Sequence, residues 1–205
     1  MAREEQSGSR NHMVAGAADM ISRRGLNATS VRELAKHTGA PLGSTYHYFP
    51  GGKYDLATEA VRFADDLTGR VLAHELQTGP VQGLRGFLNM WRKIVVDSHF
   101  QAGCPVLAVA VEELPPEQTA PREAAAAAFS NWTELLASSL REHGVSAREA
   151  QRVAVLAVAA VEGTVAICRA QRSADALDQV ADTLVGIVAD VIKPERTQRR
   201  GSAKT

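Results

Sequence analysis

Apolar residues recur at helical spacing along almost the whole chain, and no run alternates with the two-residue period of a strand. The pattern predicts an all-α fold. Met13, Ala17, Met20 and Ile21 mark a first helix that stops before Gly25. Ser30 opens a second: its hydroxyl suits the N-cap, and Glu33 three residues on completes a capping box. Val31, Leu34, Ala35 and Thr38 form its inner face, and Gly39 ends it, because glycine accepts the left-handed conformation past a helix C-terminus. A short third helix runs from about Leu42 to Tyr48 and is followed by a turn at Pro50-Gly51-Gly52. Leu56, Ala60, Phe63, Ala64 and Leu67 give a long fourth helix.

The composition shifts after Thr78-Gly79-Pro80. Phe87, Met90, Trp91 and Ile94 form one stripe, and a short helix runs from Pro105 to Leu114 before Pro115-Pro116. Ala124 to Leu140 is a long helix with Phe129, Trp132, Leu136 and Leu140 on one side. Ser146 caps the next helix, with Glu149 in the capping-box position, and a last helix spans about Ala176 to Ile192. The domains expected are an N-terminal one over 1–65 with its motif at about 30–49, a C-terminal helical one over 66–193, and a polar, disordered tail over 194–205.

Hydrophobic residues make up 45% of the 205, enough for a packed core. Lysine plus arginine equal aspartate plus glutamate at 23 each, so any basic patch must be local. Over residues 1–65 the count is 8 basic against 7 acidic, and positive charge would have to be focused by Arg10, Arg23, Arg24, Arg32, Lys36 and Lys53. Cys104 and Cys168 stand far apart with no CxxC spacing, which argues against a disulfide framework or a zinc site. The first ten residues lack the apolar core of a signal peptide. The apolar run Val153–Ile167 is broken by Glu162 and Gly163 and reads as a buried helix, so a cytoplasmic chain with no membrane partner is expected.

Residues 30–49 carry the informative constellation. Two short helices flank a turn containing Gly39, which is helix-turn-helix spacing; the first helix supports and the second enters the major groove. Thr29 and Ser30 sit at a helix N-terminus, where hydroxyls and free N–H groups suit a phosphate, although both would also serve as plain caps. Gly43 allows close backbone approach, Ser44, Tyr46 and His47 offer polar groups from the short helix, and Lys53 can pair with a phosphate. Leu34 and Phe49 are core, and one of Tyr46 and Tyr48 is expected to fill the small domain's interior.

Thr29-Ser30-Val31-Arg32-Glu33-Leu34-Ala35, Thr38-Gly39-Ala40 and Gly43-Ser44-Thr45-Tyr46-His47-Tyr48-Phe49 together resemble the DNA-binding domain of the TetR family of repressors, across about residues 10–65. Pro50-Gly51-Gly52-Lys53 is similar to the YxaF/LmrA-like branch, since most family members have one residue fewer between the phenylalanine and the lysine; Gly103-Cys104-Pro105-Val106 and the apolar residues up to Glu112 resemble that branch more loosely. The resemblance implies an all-helical homodimer. It implies repression of operator double-stranded DNA that is relieved by a small-molecule effector. It also implies DNA contacts from Thr29, Ser30, Gly43, Ser44, Tyr46, His47 and Lys53. The sequence departs from the family at Leu42, where many relatives are basic or polar, and at Tyr48, where histidine is common. Neither position is assigned a DNA contact.

A dimer also follows from geometry, since one short recognition helix reads few base pairs and two copies about 34–36 Å apart read two half-sites. The last two helices are the expected interface. Val153, Leu156, Ala160 and Val161 lie on one side of the penultimate helix, and Val155, Val158 and Val165 on another, with small residues Ala157, Ala160 and Gly163 between them. Leu177, Val180, Leu184, Val188 and Val191 continue the apolar surface on the last helix. For a ligand the candidates are Trp91, Phe100, Cys104, Leu107, Val111, Trp132 and Glu162; Phe87 and Phe129 read as plain core. Glu162, the odd residue in an apolar helix, would pair with an arginine or meet a cationic or hydrogen-bonding ligand, and the pairing is the preferred reading. Cys104 reads as a small buried hydrophobe, not a redox sensor. No GxSxG, HExxH or phosphate-binding glycine loop occurs, and the six histidines lack metal-ligand spacing. No enzyme activity, cofactor or metal is therefore expected. The competing reading is a helical small-molecule-binding protein without operator binding.

Overall fold

A computed structural model describes residues 2–193, with side chains from residue 8 onward. Among the described residues there are nine helices and no strand: α1 (Ala2–Arg24), α2 (Val31–Thr38), α3 (Leu42–Tyr48), α4 (Lys53–Leu76), α5 (Pro80–Asp97), α6 (Pro105–Ala110), α7 (Ala120–Glu142), α8 (Ala147–Gln171) and α9 (Asp175–Ile192). The tail expected over 194–205 lies outside the described residues.

The first three helices form a small unit. Met13, Ala17, Met20 and Ile21 of α1 meet Leu34 of α2, with Phe49 and Leu56 closing the same core. Helix α1 starts earlier than its apolar spacing shows, running on through the polar segment ahead of Met13. Local chemistry fixes α2. Ser30 Oγ accepts the Glu33 amide at 3.1 Å, and Gly39 takes φ 66° and ψ 13° at the other end. Only half of the expected capping box forms, because the Glu33 carboxylate accepts the Ser30 hydroxyl at 3.1 Å instead of returning to the Ser30 amide.

Helix α4 belongs to both halves of the molecule. Its first turns bury Leu56, Ala57, Ala60 and Val61 against α1, and its last turns carry Leu72 into the packing with α5 and α7. Leu67, expected on the inner face, is exposed instead. The C-terminal bundle then stacks α7 on α8, α8 on α9 and α5 on α9, around Leu84, Phe87, Trp91, Trp132, Leu136 and Leu140.

Helix α7 begins at Ala120, a turn ahead of the expected Ala124, and α6 ends short of the sequence reading. Helix α6 stops at Ala110, with Val111 as its C-cap, so the apolar run to Leu114 is not all helical. Helix α8 is longer than its apolar run and, by length and composition, long enough to cross a membrane. Half of its most apolar stretch is buried, and it packs against α5, α7 and α9 as a bundle's central helix does.

Candidate DNA-binding face and effector cleft

Helix α3 has two contrasting sides. Thr45 and Phe49 point inward, Thr45 fully buried with its hydroxyl donating to the Pro41 carbonyl at 3.3 Å. Gly43, Tyr46 and His47 are exposed, Ser44 is half-buried, and Tyr46 has 52% of its surface open to solvent. These positions follow i, i+3, i+4 spacing, so they project as one ridge. Tyr48 leans back onto the core, edge-on to His47 at 5.5 Å and to Phe49 at 6.5 Å.

The flanking candidates divide. Ser30 is exposed at the α2 N-terminus. Thr29 is 2% exposed and its hydroxyl donates to the Gly25 carbonyl at 2.8 Å, so its side chain closes the end of α1 and does not face outward. Lys53 begins α4, with Nζ 3.5 Å from Asn27 Oδ1 and 5.2 Å from the Tyr54 ring centre. The Pro50–Gly52 turn is held by the Asp55 carboxylate, which accepts the Gly51 amide at 2.6 Å.

Charge on this face is selective. Arg10 pairs with Glu59 at 2.5 Å and Arg23 with Asp19 at 2.9 Å. Burial pushes the Glu59 carboxyl up, but the hydrogen bonds and charges of Arg10 and Arg62 outweigh it and hold the group below its ordinary value. Arg24, Arg32 and Lys36 are exposed, and no described carboxylate pairs with them. The positive charge close to α3 is therefore carried by fewer side chains than the sequence offers.

In the C-terminal half, a cleft of about 410 Å³ opens between α6, α7 and α8. Leu107, Phe129 and Thr133 form one wall; Val155, Val158, Ala159, Glu162 and Gly163 form the other. The α8 members fall at i, i+3, i+4, i+7 and i+8, a single helical stripe with one carboxyl in it. Glu162 is 6% exposed and has no arginine partner. Burial pushes its carboxyl up to about 7, against a smaller opposing effect from the neighbouring Cys104 thiol. Oε2 is buried and unpartnered. The thiol of Cys104 is itself pushed well up, by burial first and then by the Glu162 charge.

Comparison with known proteins agrees with both halves. Residues 14–60 match the family described as bacterial regulatory proteins, tetR family, and residues 80–183 match transcriptional regulator LmrA/YxaF-like, C-terminal domain. An uncharacterised HTH-type transcriptional regulator of Mycobacterium tuberculosis is 36% identical over 195 residues, covering 93% of this chain and 99% of that protein. The HTH-type transcriptional regulator LmrA of Bacillus subtilis is 30% identical over 157 residues, covering 76% of this chain and 83% of LmrA. The fold matches the crystal structure of regulatory protein TetR from Rhodobacter sphaeroides with a TM-score of 0.78 at 22% identity, covering 87% and 97% of the two chains. The chain is a TetR-family transcriptional regulator.

In this TetR-family regulator the two halves meet at a joint made largely of main-chain acceptors. Arg169 on α8 donates from Nη1 to the Ser22 carbonyl and from Nη2 to the Arg23 carbonyl, each at 3.0 Å. The Gly103 amide donates to the same Ser22 carbonyl at 3.1 Å. A Cβ at Gly103 would lie 2.8 Å from Arg169 Nη1, so glycine leaves room for the guanidinium. Beyond the other end of α6, Glu112 accepts the Asn27 amide at 3.3 Å and its side-chain Nδ2 as well. Asn27 in turn receives Lys53.

Of the seven ligand candidates, Leu107 and Glu162 line the cleft and Cys104 touches the Glu162 carboxyl. The other four do not line it. Val111 is 74% exposed, because α6 has already ended. Trp132 is core, edge-on to Phe129 with Nε1 3.5 Å from the Asp65 carbonyl. Trp91 is core against Phe87, its Nε1 unpartnered. Phe100 is half-buried in the turn after α5 with a φ of 61°. The preferred arginine pairing of Glu162 is absent; the arginine on that side of α8, Arg169, is engaged with α1. Phe129, read as plain core, lines the cleft instead; Thr133, Val155, Val158, Ala159 and Gly163 were not among the candidates, although the α8 stripe that contains Glu162 was there to be counted.

Proposed function

We propose that the chain is a homodimeric, cytoplasmic repressor that binds operator DNA through α3 and is released by a small, mainly apolar effector seated between α6, α7 and α8. The observation that carries this reading is the exposed ridge of Gly43, Tyr46 and His47 on a helix only seven residues long, whose opposite side is fully committed to the small core. A helix of that form is built to present its outer side to a groove. Ser44 and Lys53 flank the ridge, and Ser30, with the free N–H groups at the start of α2, suits a phosphate.

The dimer reading rests on the outer face of α8 and α9. Val155, Leu156 and Ile167 are exposed on α8, and a groove of about 1000 Å³ runs along the α8 N-terminal half to Ile187 of α9. A second copy covering this face would hold two α3 ridges for two half-sites. An effector in the cleft acts by favouring one of two spacings of those ridges, and the joint at Arg169, Gly103 and Glu112 supplies the mechanical link.

The test is retention of the full chain on the DNA upstream of its own gene as salt is raised, with unrelated DNA as control. Salt-sensitive, sequence-dependent retention is expected. Equal retention on both DNAs at every salt concentration would overturn the reading.

A further inference from the structure

The Glu162 carboxyl is the one acidic group in the cleft wall, and its Oε2 has no donor. A buried polar atom left unpaired is destabilising, so a side chain of similar volume without the charge would serve the core better. The other cleft residues are apolar apart from Thr133. From α6 the only titratable group that reaches the carboxyl is Cys104, and α7 brings Phe129 and Thr133 with no charge. The final carboxyl torsion of a glutamate is soft, so Oε2 can turn towards an occupant without moving the helix. There is room beside it: a Cβ added at Gly163 would meet nothing within 4 Å.

We propose that the cleft takes a mainly apolar organic ligand whose single polar end, a hydroxyl or a protonated amine, donates a hydrogen bond to the unpartnered oxygen of Glu162. The proposal deepens the effector reading above and rests on it. The apolar walls bury the ligand's body, and the carboxylate selects its end group. The cleft volume suits a ligand of one or two fused rings. Above pH 7, where Glu162 is ionised, a ligand with a carboxylate end would face it with like charge in a poorly solvated site and is disfavoured.

The experiment uses four probes on one scaffold: 2-naphthol, naphthylmethylamine, 2-methoxynaphthalene and 2-naphthoate. Each is titrated calorimetrically into the full-length chain at pH 6 and pH 8. At least one of the two donors should bind ten times or more tighter than the methyl ether, and at pH 8, where Glu162 is ionised, 2-naphthoate should bind weakest of all. Glu162→Met should erase the donor preference. Glu162→Gln, which keeps an acceptor and loses the charge, should keep the preference for the naphthol and lose it for the amine, which separates the two end groups. Thermal melts check that both variants are folded. Equal binding of the donors and the ether, a preference that survives Glu162→Met, or no binding by any probe at millimolar concentration would each overturn the proposal. Operator retention is measured with the same probes. A donor that binds as stated and leaves operator affinity unchanged would sink the effector reading alone, whereas release of DNA by 2-naphthoate without donor preference would sink the proposal alone.

Discussion

The α3 ridge and the α8 stripe are both short helical patterns of polar and apolar residues, yet they use their polar groups in opposite ways. On α3 the groups proposed to read DNA stand in water, where Tyr46 and His47 cost nothing to keep unpaired. On α8 the group proposed to hold an effector is buried, where Glu162 is held at a cost and its protonation is altered by its surroundings. The exposed site can therefore change its residues with little effect on folding. The buried one ties recognition to stability and pH.

That contrast can be broken most strongly at α3. Tyr46→Ala with His47→Ala should lower operator affinity by about a hundredfold or more, since a side chain that reads a base edge is worth about 1–3 kcal/mol. Electrophoretic retention reads the change, and the melting temperature should hardly move. A melting temperature that fell with the affinity would mean the ridge is part of the core after all.

The buried half gives the next largest effect. Between the ordinary carboxyl value of 4.5 and the folded value of about 7, the folded chain keeps a proton that the unfolded chain has lost, so stability falls as pH rises through that window. Glu162→Met removes the dependence. Its stability relative to the parent should grow by about 3 kcal/mol from acid to mildly alkaline pH, read by denaturant melts across the range. A flat difference would show that the carboxyl is not perturbed.

Between the two sites, Arg169→Ala removes two charge-assisted hydrogen bonds to α1. A destabilisation of about 1.5–3 kcal/mol is expected, together with a weaker effect of any cleft ligand on operator affinity. Undiminished ligand response in a folded variant would place the coupling elsewhere. The smallest effect is at the cap: Ser30→Ala should cost about 1 kcal/mol in thermal melts.

What the sequence disclosed follows the same division. The Ser30 cap, the Gly39 turn and the α3 limits were legible because each is set by residues within four positions of one another. Leu34 was legible as core for the same reason, since helical period alone turns it inward, and Phe49 is buried at the C-cap of α3. The inward turn of Thr29 was not legible because its acceptor is the end of the preceding helix, which no cap pattern reveals. The end of α6 was misplaced at Leu114 because apolarity outlasts the helix and helix length is not written in apolarity. Glu162 was visibly anomalous, but whether an arginine would reach it depends on how α1, α6 and α8 meet in space.

The joint at the end of α1 has a consequence for descent as well as for mechanics. The donors at Arg169 and Gly103 come from the C-terminal half, while the acceptors at Ser22 and Arg23 are carbonyls that every amino acid possesses. Substitutions on the receiving side do not remove the acceptors. The DNA-reading half can therefore drift towards new operators without losing these two acceptors, so selection on this part of the joint falls on Arg169 and Gly103, whereas the Asn27–Glu112 contact constrains both halves.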